Sequence, residues 1–178
     1  MAGETMESLG WKLGDWKAEY RTRLRRLSCE EAELAAAVAA RIRERAQKSE
    51  PCEGLARNFL LEECEEQSIA IDSEQEEYLC QSIHLQTFGL GFLQPLLSDA
   101  SLEEIAVVGL NQPVRVFVRG KGWKRTDVEV TSQDYFVSLV NRLGRGLGRR
   151  LTAQQPRMNA TLDDGSRLHA SMPPVSQC

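Results

Sequence analysis

Residues 158–174 read Met-Asn-Ala-Thr-Leu-Asp-Asp-Gly-Ser-Arg-Leu-His-Ala-Ser-Met-Pro-Pro, and side-chain character alternates on both sides of Asp-Asp-Gly. Met158, Ala160 and Leu162 alternate with Asn159 and Thr161; Leu168, Ala170 and Met172 alternate with Arg167, His169 and Ser171. Period-2 alternation is the signature of a half-buried strand. A three-residue loop at Asp163-Asp164-Gly165, with Gly165 in the left-handed region, sets Thr161 opposite Arg167 and keeps both apolar sets on one face. A two-residue turn would put Leu162 opposite Arg167 and mix the faces. The sequence therefore predicts a bulged hairpin whose polar face carries Asn159, Thr161, Arg167 and His169.

Upstream, the same period governs residues from Glu104. Val114, Val116 and Val118 alternate with Arg115, Phe117 and Arg119, and Val128 and Val130 with Asp127 and Glu129. Gly120-Lys121-Gly122 turns the chain between these strands, so its Gly-Lys pair is a hairpin tip. Phe136, Leu139, Val140, Leu143 and Leu147 then recur at helical spacing, predicting a helix from about Ser132 to Leu147. Gly144-Arg-Gly-Leu-Gly-Arg-Arg150 follows a helix, without the strand-to-helix setting of a dinucleotide loop, and reads as a helix C-cap with a basic exit. Strands, a helix and a final hairpin give an α+β domain over residues 89–178, with one sheet covered by a helix.

Residues 1–88 read as helices. Ser28-Cys29-Glu30-Glu31 is a capping box ahead of Leu34, Val38 and Ile42, predicting a helix over 29–48. Before it, Trp16, Tyr20, Leu24 and Leu27 recur at helical spacing among Arg21, Arg23, Arg25 and Arg26, which predicts an amphipathic helix there as well. Its basic face either packs as a solvated stripe on the next helix or meets a membrane surface or acidic partner. Glu50-Pro51 breaks the pattern; Leu55, Phe59, Leu60 and Cys64 form another stripe; and Asp72 caps a helix carrying Tyr78, Leu79, Ile83 and Leu85. The expected result is a bundle of about four helices.

Charge is divided unevenly. Residues 1–98 carry 18 acidic and 11 basic side chains and residues 99–178 carry 8 and 11, within a net charge of −4. That balance argues against nucleic acid as a partner. Ten of the acidic residues fall in 50–77 against Arg57 alone, an acidic surface that is either simply solvated or docks a basic partner. No apolar run approaches the ~18 residues that would span a bilayer, and Met1–Gly10 lacks a secretory signal pattern, so a soluble, cytoplasmic protein is expected. Cys29, Cys52, Cys64, Cys80 and Cys178 contain no Cys-x-x-Cys pair, and His84 and His169 have no ligand-spaced partner, which argues against a disulfide framework and a metal site. No Ser-His-Asp, Cys-His or paired-carboxylate set offers an independent catalytic centre.

The C-terminal segment resembles the end of the N-terminal domain of the type II secretion and type IV pilus assembly ATPases, whose pattern is roughly Pro-x-x-Asp-Ala-x-Leu-x-Asp-Gly-Ser-Arg. Pro156, Ala160, Leu162, Asp164, Gly165, Ser166 and Arg167 match it, with Asn159 in place of the usual Asp. Gly89–Gly109 resembles that family's opening motif, with Phe92 where Pro is common. Asn111-Gln112-Pro113-Val114, then Gly122-Trp123 and Thr126, look more like the archaeal branch, which includes archaellum motors. The resemblance covers about residues 85–176.

It implies that ATP and Mg are partners bound mainly by a RecA-like motor domain following in cis. No Gly-x-x-x-x-Gly-Lys-Ser/Thr loop occurs here, so this chain alone is not expected to hydrolyse ATP, and it is expected to stop at a domain boundary. The resemblance further implies a homo-hexamer, closure of this domain over bound nucleotide, and docking to a membrane platform protein or cytoplasmic scaffold at the inner face of the cell membrane. By its place in the Asp-Gly-Ser-Arg motif, Arg167 is the first candidate phosphate contact. Arg149, Arg150 and Arg157 are further candidates, each of which alternatively pairs with Asp163, Asp164 or another surface carboxylate. Arginine suits the task because its fixed guanidinium fork binds phosphate oxygens bidentately and stays charged. The alternative function is a stand-alone protein-interaction adaptor that has lost its motor.

Overall fold

A computed structural model describes residues 10–14, 16–46, 54–162 and 164–172. The chain is α+β and divides into two units, one comprising Thr22–Ala100 and the other joining Gly10–Arg21 to the residues from Ser101 onward. This differs from a division at 88/89. The end of the third helix runs on into tight turns, with Gly89 N donating to His84 O and Gly91 N to Leu85 O. Phe92 and Leu96 beyond them are buried.

The helical unit holds α1 (Cys29–Ala46), α2 (Leu55–Gln67), α3 (Ser73–Thr87) and the short α4 (Leu93–Leu97). The capping box predicted at Ser28 forms, and the predicted cap at Asp72 proves to be a second box. Ser28 N donates to Glu31 Oε2 and Glu31 N to Ser28 Oγ, and Asp72 and Gln75 exchange the same pair of bonds. Each satisfies backbone donors that the first helical turn leaves orphaned. The predicted stripes meet in one core of Val38 and Ile42 from α1, Phe59 and Leu60 from α2, and Leu79 and Ile83 from α3. Each such side chain contributes about 1.5–3 kcal/mol by its burial. The last two residues of the predicted 29–48 helix lie outside the described residues.

No helix forms over Trp16–Leu27. Instead β1 (Trp11–Leu13) joins the sheet, the Trp16 ring lies over Gly14, and its indole Nε1 donates to Thr126 O at 2.8 Å. Glu19 N and Tyr20 N both donate to Arg125 O. Arg23 has a left-handed backbone (φ 58°), which ends any helical path. Unpaired strand edges accept such a segment, and tertiary pairing here overrides local periodicity. Within the helical unit, Arg25 lies 3.8 Å over the Tyr78 ring and bonds Glu74.

The sheet unit contains β1, β2 (Leu102–Ala106), β3 (Pro113–Val118) and β4 (Gly122–Val130) in the order β1-β4-β3-β2, all antiparallel. Val114, Val116, Val128 and Val130 are buried as their alternation predicts. Glu129 breaks the alternation: it is 9% exposed because β1 covers it, and Lys12 opposite supplies its counter-charge at 3.2 Å. Gly120 and Gly122 take positive φ at the expected hairpin tip.

Helix α5 (Gln133–Gly144) is capped by Ser132. The terminal hairpin, β5 (Arg157–Thr161) and β6 (Arg167–Ser171), forms its own two-stranded sheet, so the sheet unit has two sheets where one was predicted. Val140, Phe136 and Val137 of α5 pack on the hairpin's Met158, Leu168 and Ala170.

Candidate functional site

The hairpin register is the one its alternation requires. Met158 pairs with Ala170, Ala160 with Leu168, and Thr161 with Arg167. Leu162 N donates to Ser166 O and Gly165 takes φ 84°, closing the three-residue loop. Asp164 Oδ1 accepts from Ser166 N at 2.8 Å, and that bond holds its carboxyl below the usual aspartate range. Asp163 lies outside the described residues.

With the apolar face packed against α5, the opposite face presents Asn159, Thr161, Arg167 and His169. These four line a cleft of about 530 Å³ together with Arg149. Leu147 supplies part of its apolar wall. Two of the four candidate arginines are therefore brought together, from segments 18 positions apart in the numbering of Arg149 and Arg167. The other two are not. Arg150 is exposed beyond the cleft, and Arg157 starts β5 opposite Ser171, at the end of the hairpin away from its loop.

The position of Arg149 has a clear cause. After α5 a 3-10 turn (Arg145–Leu147) ends at Gly148 with φ 63°, and the chain doubles back so that Arg149 N donates to Gly144 O. A Cβ on Gly144 would lie 2.8 Å from Arg149 O and 2.9 Å from Met158 Sδ, so glycine is needed here for close approach. Beyond it, Asn141 clamps the returning backbone. Its amide donates to Leu151 O at 3.0 Å and accepts from Leu151 N at 2.6 Å. Leu151 is buried against the hairpin core.

Electrostatically the cleft is one-sided. No carboxylate lines it among the described residues, and neither Arg149 nor Arg167 forms an ion pair with a described residue. Two guanidinium groups beside hydroxyl, amide and imidazole groups suit an anion with several oxygens. His169 and Asn159 pair through Nδ1 and Oδ1. Their role escapes motif reading, although alternation alone places both on the face of Arg167.

Among the described residues no cluster of three or more His, Cys, Asp or Glu could hold a metal ion. Burial pushes the thiols of Cys64 and Cys80 up from their ordinary value, which leaves them inert.

No family model matches the chain. Parts of it are similar to three archaeal proteins of Methanocaldococcus jannaschii. Uncharacterized protein MJ1288 is 31% identical over 84 residues, 47% of this chain and 33% of the relative. Uncharacterized protein MJ0781 is 31% identical over 93 residues, 52% and 13% of the two. Uncharacterized protein MJ0900 is 29% identical over 103 residues, 57% and 18%. The chain thus spans a third or less of the length of these curated relatives.

Proposed function

We propose that this chain is the N-terminal regulatory, nucleotide-clamping domain of a hexameric secretion or type IV pilus or archaellum assembly ATPase. It closes over ATP held by a following RecA-like motor domain and docks to a membrane platform protein, placing the machine at the cytoplasmic face of the membrane. The observation that carries this reading is the meeting of Arg149 and Arg167 in one cleft that no carboxylate lines among the described residues. Guanidinium groups with no ion-pair partner among the described residues suit the terminal phosphates, where they would stabilise the charge that develops in phosphoryl transfer. Mg and the catalytic water belong to the motor in this scheme, and the chain supplies phosphate contacts alone. No helix among the described residues is long and apolar enough to cross a membrane, which is compatible with peripheral attachment.

The adaptor alternative rests on the acidic helices, and much of their charge is used internally. Arg41 binds Glu62, Glu63 and Glu66; Arg57 binds Glu76; and Arg25 binds Glu74. The test is ATP turnover by this chain joined to its motor domain. Arg167→Ala is expected to lower turnover by several orders of magnitude, up to the ~10³–10⁵ of an arginine finger, with ATP binding retained. Arg157→Ala, outside the cleft, leaves turnover near wild type. Unchanged turnover in Arg167→Ala would reduce that residue to a hairpin brace and favour the adaptor.

A further inference from the structure

The outward face of the four-stranded sheet carries two adjoining rows of unlike chemistry. Phe117 of β3 stands directly opposite Trp123 of β4, and in the next row Arg115 stands opposite Arg125. Residues two apart on a strand share a face, so the rows are about 7 Å apart. The two rings meet edge to face with 5.5 Å between centroids. Trp123 is 45% exposed, whereas Trp11 on the other face is buried. Each row carries a local cost: the indole leaves apolar surface in water, and like charges directly opposite each other on a sheet are destabilising. One contact that covered both rows would relieve both.

The neighbouring charges decide what that contact is. Glu103 binds Arg119 at 2.9 Å, and Glu19 reaches Arg125 at 3.6 Å. Glu104 of β2 lies beside Phe117, and Ala106 beside Arg115. Arg115 forms no ion pair with a described residue. The carboxylates of Glu19, Glu103 and Glu104 thus match the guanidinium groups of Arg115, Arg119 and Arg125 in number, which disfavours a strongly acidic occupant such as nucleic acid. We propose that this face docks onto the same face of a second copy of the chain, about a two-fold axis running across the strands between the two rows. Such an axis lays the aromatic row of each copy over the arginine row of the other. Phe117 then faces Arg115 of the second copy and Trp123 faces its Arg125, so symmetry forms four cation–π contacts at once. Glu104 faces Ala106 of the second copy, one strand away from its Arg115, which brings two opposite charges into reach. Aromatic and arginine side chains are those on which interface energy concentrates. The proposal uses strands β2, β3 and β4 alone and does not rest on the phosphate-contact reading of the hairpin.

The test is sedimentation equilibrium of this chain, joined to isotope-filtered NMR on an equimolar mixture of labelled and unlabelled copies. A dimer is expected, with contacts between the Trp123 ring of one copy and the Arg125 methylenes of the other. Trp123→Ala should raise the dimer dissociation constant by about 30-fold, the size of a hot-spot truncation, and Arg115→Glu by about tenfold. Circular dichroism of each variant separates lost docking from lost fold. Trp123→Phe keeps a ring and should retain most of the dimer, which keeps the test decisive if the alanine variant fails to fold. Arg167→Ala, in the cleft, should leave the dimer intact, so the two readings fail separately. A chain that stays monomeric at millimolar concentration overturns the proposal, as does a dimer indifferent to both Trp123→Ala and Arg115→Glu. A monomer whose Trp123 signals shift on addition of an oligothymidylate would assign the face to nucleic acid and overturn it as well.

Discussion

Asn141 holds the wall of the cleft in place from a position with no charge and no ligand to touch. Its amide replaces two backbone partners that the chain leaving α5 would otherwise lack, and both bonds are made to Leu151 in a half-buried setting. Asn141→Ala should cost about 1–3 kcal/mol in urea unfolding, because it strands buried backbone groups. It should also weaken anion binding through displacement of Arg149. Gly144→Ala tests the same wall from the other side. Its methyl group would meet backbone and the Met158 sulfur at distances real Cβ atoms essentially never show. A destabilisation of about 1–3 kcal/mol is expected, as for an overpacked core. These two residues were not legible as site residues. Asn141 acts on main chain ten positions away, which leaves no side-chain pattern in the sequence, and Gly144 looks like an ordinary helix terminator.

Among the elements, the terminal hairpin was the most legible, because a one-residue slip would have turned Met158 and Ala170 outward. Gly165→Ala should lower the thermal midpoint, costing about 1–2 kcal/mol, since its φ of 84° disfavours a Cβ although space for one is open. The segment over Trp16–Leu27 was misread for the opposite reason. Its apolar spacing fits a helix, but its partner strand lies far downstream, beyond the reach of any local window. The α1–α2 contact is set by charge as much as by burial. Arg41 bonds the nearly buried Glu63 at 2.6 Å, and this hydrogen bond is the main cause holding the Glu63 carboxyl below the ordinary value of 4.5. A depressed carboxylate stabilises the fold fully above that ordinary value. The stabilisation is lost as pH falls below it and through the folded value. Arg41→Ala should therefore lower the urea midpoint at neutral pH and lower it progressively less in acid, as read across a pH series.

For the whole molecule, the sequence announced its two kinds of structure through the switch from helical to strand periodicity near Glu104. What it did not announce is that Gly10–Arg21 belongs with the residues after Ser101. Edge pairing through backbone groups leaves little trace in side-chain order. The archaeal relatives resemble stretches of about half the chain, and the geometry of the cleft, more than those matches, bears on what the protein does.

The place of β1 has a consequence for how the chain acquires its structure. The helical unit lies between β1 and β2 in the sequence, and the Trp16–Thr126 bond spans 110 residues. On a ribosome the first strand emerges long before the strand it must join, while the helices between them need only near neighbours. Local contacts form quickly and distant ones wait on the closure of a long loop. Refolding is accordingly expected in two kinetic phases, an early one reported by helical circular dichroism and a later one by the fluorescence of Trp11, Trp16 and Trp123, all three in the sheet unit. Coincident single phases would show that the units fold as one.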